Sequence, residues 1–484
     1  MRTHLLLFFL LLGLHANEMQ SQDIVSVEFN STLTAPIARL LALTLGVTVD
    51  ITYDVDFYVV EYTTTGTDMR LDTASGLFMI PDGLNEPLPI LCYQHGTTDG
   101  RSDVPSNFGA AYQLGALFGS NGVAVAAPDY LGMGSSRGFH PYVHAETEAT
   151  AAVDMIYALR TWLDEQGTGH TDDLFVTGYS QGGHAAMALH QYIETEKPAD
   201  LNVTANLSMS GPYSLSGVMQ GLSFDEEIDY LFPSFLVYSA RALREVNPET
   251  YQSEDQLYKP SFLGPIEEFV RTGEGLGALN QFLVGQLVQE NGMSTPRFMF
   301  KDSVQEVLLA NPDHPFNVTL RESDVYDWTP QAPVLMLYCP SDDQVPFTNS
   351  IIADSVMNAN GAPDVSAEDV SGGEILDHAQ CAIPALNRGV PWLFSFLETT
   401  STVEINLAAG LQVSPNPVSD QLLISTEVSI DRISIYSPTG QRLIDQSDLG
   451  YSFKIDASSM PNGVYYAHIL TTEGLSVEKF LVSR

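Results

Sequence analysis

Short apolar runs punctuate the first four-fifths of the chain at residues 88–94 (LPILCYQ), 123–127 (VAVAA), 174–177 (LFVT), 205–211 (ANLSMSG) and 333–338 (PVLMLY). Each has the length of a strand and is bounded by glycine, proline or polar residues, the pattern of strands buried on both faces of a mostly parallel sheet. Residues 142–166 and 348–358 read as helices, 183–189 as a helix start, and the stretch near 365–370 as a further strand. Strands alternating with helices predict an α/β fold built on a doubly wound sheet.

More than a hundred residues separate the run at 205–211 from that at 333–338, far beyond what a crossover needs. Helical patterning at 266–270 and 279–288, with Pro233, Pro260 and Pro265 read as breaks, predicts a helical cap inserted at about 215–328. Past a polar linker at 399–410 the pattern changes to strand-like runs separated by turn residues at 438–440, 461–463 and 473–474. That spacing predicts a separate β-sandwich at 411–484. At the other end, Arg2 precedes an apolar run at 5–14, which is too short to span a bilayer and suits a signal peptide over residues 1–22. No other run approaches membrane length.

Gly178-Tyr179-Ser180-Gln181-Gly182 sits between the run at 174–177 and the small-residue helix start. A serine on so tight a strand-to-helix turn needs neighbours without bulky side chains, and glycine also tolerates the strained backbone. The context makes Gly178 and Gly182 the walls of a nucleophile elbow and Ser180 its nucleophile. His95-Gly96 follows the strand at 88–94, and Pro128-Asp129-Tyr130-Leu131-Gly132-Met133-Gly134 follows that at 123–127. With the elbow, these motifs resemble the α/β-hydrolase superfamily, and within it secretory lipases and related bacterial hydrolases, over about residues 25–398. The resemblance implies an α/β-hydrolase catalytic domain at 23–398.

It also implies the chain order serine, acid, histidine. After Ser180 come His184, His190, His314, His378 and His468. The first two lie on the helix that Ser180 opens, His314 precedes the acid, and His468 falls in the terminal module, which leaves His378, expected in the loop after the last strand. The family's D-x-x-V-P pattern points to Asp342 as the acid, with Asp343 as the alternative. The oxyanion donors implied are the backbone amides of Gln181 and Thr97, or Thr98 in place of Thr97. Asp129 is expected to organise its own loop, His95 to pack and bond locally, and Asp377 to cap or solvate. Cys339 lies three residues before Asp342 and Cys381 three after His378, so a disulfide between them is expected, with Cys92 a buried strand residue.

In the terminal module, Ser414-Pro415-Asn416-Pro417, the I-Y-S-P-T-G-Q run at 435–441, the M-P-N-G-V-Y run at 460–465 and the K-F-L-V ending at 479–482 resemble the carboxyl-terminal sorting domain of the type IX secretion system. The resemblance implies that machinery as a partner and a secreted or surface location. The formal net charge is −40, yet residues 411–484 hold eight acidic against five basic side chains, so the acidity belongs to the hydrolase. Such a field disfavours nucleic acid and anionic membranes as partners. No metal cluster or phosphate-binding loop stands out, and no cofactor is implied. The function expected is a secreted serine hydrolase that cleaves small-molecule or lipid carboxylic esters through an acyl-enzyme. Alternatives are a carbohydrate acetyl esterase, a non-catalytic surface-binding protein, and a peptidase of the prolyl oligopeptidase kind, for whose propeller the region before residue 88 is too short.

Overall fold

The computed structural model describes residues 23–397 and 411–483, apart from 50, 85, 110–111, 197–199, 438–441, 459 and 472–473. The chain divides into two compact units, one ending at Leu397 and one following it. The expected signal peptide and linker lie outside the described residues.

The first unit is centred on one sheet of β1 (Ile24–Leu33), β2 (Val55–Thr65), β3 (Leu71–Pro81), β4 (Leu88–Gln94), β5 (Ala124–Pro128), β6 (His170–Tyr179), β7 (Ala205–Met209), β8 (Val334–Tyr338) and β9 (Val365–Asp369). The strand order is β1-β2-β3-β5-β4-β6-β7-β8-β9. From β5 to β9 every pairing is parallel, whereas β1, β2 and β3 join antiparallel. The apolar runs are buried on both faces as their composition requires. Leu91, Val125, Phe175, Leu207 and Leu335 belong to one core. Their neighbours Ile90, Ala124, Ala126, Leu174 and Val176 belong to another, packed against the helix Ala145–Gln166. Each buried Leu, Val or Phe contributes roughly 1.5–3 kcal/mol, so this alternation holds the carboxyl ends of the strands in place.

The cap is helical. Its longer members are Pro233–Val246, Pro260–Thr272 and Leu276–Asn291, around a core of their own. Pro233 and Pro260 each stand in the first turn of a helix, where a missing N–H costs nothing. Pro265 is not a break: the helix runs through it. Burial of Phe262, Ile266 and Phe269 on one face outweighs the lost bond, and Ser261, whose carbonyl would have received it, is exposed to water.

The second unit is a set of five antiparallel strands: β10 (Gln412–Ser414), β11 (Gln421–Tyr436), β12 (Arg442–Asp456), β13 (Gly463–Thr471) and β14 (Gly474–Val482). The long β11 and β12 pair along both their halves, with register shifts in between. β10 continues the ladder beside the first half of β11, and β13 with β14 beside the second. Leu422 and Ile424 from one half share a core with Ile433 and Ile435 from the other. The expected sandwich thus takes the form of one continuous hydrogen-bonded sheet.

Candidate active site

β6 ends at Tyr179 and the helix Gln181–Glu196 begins two residues later, so Ser180 alone makes the turn. Its φ is +62°, in the left-handed region that costs a non-glycine residue energy. The turn is pinned by a bond from the Ser180 N–H to the Met209 carbonyl (2.9 Å), and the Ser180 carbonyl accepts from the N–H groups of Gly183 and His184. A Cβ on Gly178 would fall 2.1 Å from the Gly182 carbonyl oxygen, and one on Gly182 2.1 Å from the Gln94 carbonyl oxygen. No side chain fits at either position, which is the physical content of the G-x-S-x-G spacing.

β8 delivers the acid turn. Asp342 Oδ1 accepts from the backbone N–H groups of Gln344 (2.9 Å) and Val345 (2.8 Å), which leaves Oδ2 to receive His378 Nδ1 at 2.7 Å. Asp343 does not reach the ring; its Oδ1 accepts the His378 backbone N–H at 3.0 Å. The two candidate acids therefore hold one histidine at different points. His378 itself is not in a loop: it is the first residue of the helix His378–Phe394. Asp377 is the N-cap, and a reciprocal capping box with Gln380 starts the helix there. Tyr179 donates its hydroxyl hydrogen to the His378 carbonyl (2.5 Å) and packs its ring at 5.0 Å from the imidazole. Nε2 of His378 is buried and has no hydrogen-bond partner among the described residues. Cys339 and Cys381 are joined, with Cα atoms 5.9 Å apart, and tie the acid turn to the histidine helix. Cys92 is free and buried.

On the other side of Ser180, the loop after β4 passes close: a Cβ on Gly96 would lie 3.2 Å from the Tyr179 carbonyl oxygen and 3.8 Å from Ser180 Cβ. Thr97 and Thr98 line the same cleft as Ser180 and His378. Gln181 opens its helix, so its N–H has no acceptor within that helix. Thr97 Oγ1 meets the Tyr142 hydroxyl at 2.8 Å. Asp129 faces away from the cleft, accepting from the Ser106 N–H, Ser106 Oγ and Ser75 Oγ. His95 is buried against Tyr130, with Nδ1 on the Gly96 carbonyl. His184 and His190 pair with Glu148 and Glu194, and His314 caps a short cap helix, so none of the three joins His378.

Ser180 stands where two spaces meet. The open cleft continues past Asp99, Ser234 and Asn280. The other is a largely apolar cavity beneath the cap, lined by cap residues such as Leu236, Leu243, Leu257, Phe300 and Leu320. Tyr142, Tyr179, Gln344 and Val345 are parts of the site that sequence reasoning missed. The D-x-x-V spacing carries a signal for the last two, because an aspartate often accepts from amides two and three residues on; nothing local announces the two tyrosines.

Residues 412–483 match the model of a secretion system C-terminal sorting domain. That domain marks the chain for type IX secretion and a cell-surface or secreted location; among the described residues no helix is long and apolar enough to cross a membrane. No curated protein matches. Among solved structures, a Legionella pneumophila protein provisionally described as a hydrolase is 25% identical with a TM-score of 0.69, covering 78% of this chain and 99% of its own. The rice cell wall degrading esterase LipA from Xanthomonas oryzae is 22% identical with a TM-score of 0.63, covering 78% and 97%. Candida antarctica lipase A, at 16% identity and a TM-score of 0.57, covers 78% and 83%. Residues 90–368, more than half of the chain, match the alpha/beta hydrolase family model, and the protein whose elbow, acid turn and histidine helix meet in this cleft belongs to the alpha/beta hydrolase family.

Proposed function

We propose that the protein is a secreted serine esterase that cleaves carboxylic esters with an apolar acyl part. The observation that carries the reading is the place of Ser180, on a strained elbow at the junction of an apolar cavity and an open cleft that also holds His378. Ser180 Oγ attacks the acyl carbonyl while His378 Nε2 takes its proton; Asp342, bonded to Nδ1, fixes the tautomer that leaves Nε2 free to accept. The amide N–H groups of Gln181 and Thr97 receive the oxyanion. The acyl chain lies in the cap cavity, the alcohol leaves through the open cleft, and water then releases the acid with His378 again as base. Esterase and lipase likenesses in fold are consistent with this chemistry.

The experiment is a panel of p-nitrophenyl esters from acetate to palmitate beside peptide amides, with wild type and Ser180→Ala. Ester turnover should fall by about 10⁴ or more in the variant, and a fluorophosphonate should label only the wild type. Equal labelling of the two, or turnover of amides alone, refutes the reading.

A further inference from the structure

Behind the elbow runs a line of hydrogen bonds that the triad does not use. Gln181 Nε2 lies 2.9 Å from Glu148 Oε1 and 2.8 Å from His140 Nε2. Glu148 Oε2 receives His184 Nδ1 at 2.8 Å, and His184 Nε2 reaches the Ser323 carbonyl at 2.9 Å. His140 Nδ1 reaches the Leu131 carbonyl at 2.8 Å. All four side chains are buried, Glu148 with 1% exposure.

The acceptors fix the protons. A carbonyl only accepts, so His140 carries its hydrogen on Nδ1 and offers the Nε2 lone pair to one amide hydrogen of Gln181. The other amide hydrogen goes to Glu148. His184 faces a carbonyl on one side and a carboxylate on the other, so both its nitrogens donate and it is an imidazolium. Burial works against that charge, but the Glu148 carboxylate raises the pKa above its ordinary value. Burial pushes His140 down to about 3, in keeping with its neutral role. Stability alone does not call for this arrangement, because apolar residues of similar volume commonly serve a core as well as a buried ion pair. What distinguishes the line is its central member: Gln181 follows the nucleophile, and both hydrogens of its side-chain amide are held.

We propose that Glu148 is a positioning residue: by clamping the Gln181 side chain between itself and His140, it aims the Gln181 backbone N–H at the developing oxyanion. His184 donates to Glu148 and anchors it to the Ser323 carbonyl in the returning segment of the cap. The proposal rests on the esterase reading above.

The test uses the full exported chain. Wild type, Glu148→Gln, Gln181→Met and the double variant are compared on p-nitrophenyl butyrate and for inhibition by an aryl trifluoromethyl ketone. Ser180 adds to the ketone carbon and gives up its proton to His378, so that the ketone oxygen becomes an oxyanion in the hole. Each single variant should lose about 10- to 100-fold in kcat with KM within about twofold, and ketone affinity should weaken by the same factor. The double variant should lose no more than the worse single one, since both act on one amide. A folded Glu148→Gln or Gln181→Met with wild-type kcat and ketone affinity overturns the proposal, as does a double variant whose losses multiply. If Glu148→Gln does not fold, Gln181→Met, which keeps the backbone N–H and nearly the same volume, decides alone. A wild type that neither hydrolyses esters nor takes up fluorophosphonate overturns the esterase reading itself, a result distinct from an active wild type with unaffected variants.

Discussion

Replacing Asp342 by asparagine separates the two aspartates of the acid turn, because the surrounding amides dictate how the new side chain must lie. The position of Asp342 Oδ1 is occupied by hydrogens from Gln344 and Val345, at 2.9 and 2.8 Å, and only an oxygen can stay there. The asparagine amide nitrogen is thereby turned to His378 Nδ1, 2.7 Å away, which must then accept a hydrogen instead of donating one. The imidazole hydrogen moves to Nε2, and the nitrogen that should take the Ser180 proton is blocked. A wrong-tautomer histidine costs on the order of 10⁴ in kcat, with KM little changed, because substrate contacts are untouched. Asp343 tells the opposite story. It receives a backbone N–H, which an asparagine oxygen also accepts, so Asp343→Asn should cost less than about tenfold. Steady-state kinetics on p-nitrophenyl butyrate, with active sites counted by fluorophosphonate, measures both. The reasoning fails if Asp342→Asn stays within tenfold of wild type, or if the ranking of the two variants is reversed.

Three more expectations follow from the same geometry. Reducing the Cys339–Cys381 bond, whose partners are 42 residues apart, removes about 4 kcal/mol in the chain-entropy model. Spread over residues 23–397 at about 2.1 cal/mol/K per residue, this lowers Tm by about 5 °C; calorimetry of protein with both thiols shown alkylated checks it, and an unchanged Tm contradicts it. Ser239→Phe adds bulk to the cap cavity, so kcat/KM for p-nitrophenyl palmitate should fall more than about tenfold while acetate stays within about threefold, and equal losses on both would place the acyl chain elsewhere. Burial pushes His140 down to about 3 and His144 to about 4, so both are neutral in the fold, while the unfolded chain protonates them below about 6.5. The unfolded state then binds more protons, and stability falls as pH drops from about 6.5 to 5.5, at a slope approaching about 2.7 kcal/mol per pH unit for two sites. His184, raised, is already charged in the fold while its unfolded form is still taking up a proton near about 6.5, so it offsets part of the slope there and none of it once both forms are charged at about 5.5. A Tm independent of pH between 6.5 and 5.5 would contradict this.

The strands of the parallel half and the elbow were legible in the sequence because each is a local pattern: an apolar run, a glycine two residues either side of a serine. The helix Pro260–Thr272 hid its continuity behind Pro265, since a breaker signal is local while the burial of Phe262, Ile266 and Phe269 that overrides it is tertiary. His378 is expected in a loop because the resemblance puts its histidine after the last strand; in the fold the capping box at Asp377, one residue earlier, starts a helix with it. Glu148 gave no signal at all. It meets Gln181 and His184 across 33 and 36 residues, and one glutamate among many on a helix otherwise reads as solvated surface. The antiparallel strands β1 and β2 were equally silent, their partly exposed faces lacking the continuous apolar runs of the parallel strands.

The Cys339–Cys381 bond makes the finish of the site a matter of address. Both sulfurs are fully buried where the acid turn meets the histidine helix. In a reducing cytoplasm they remain two thiols, and hydrogen bonds alone keep Asp342 beside His378; the exterior to which the sorting domain consigns the chain favours the covalent form. Closure of the bond is therefore tied to export, and the brace between the acid turn and the histidine helix is expected where the chain is delivered.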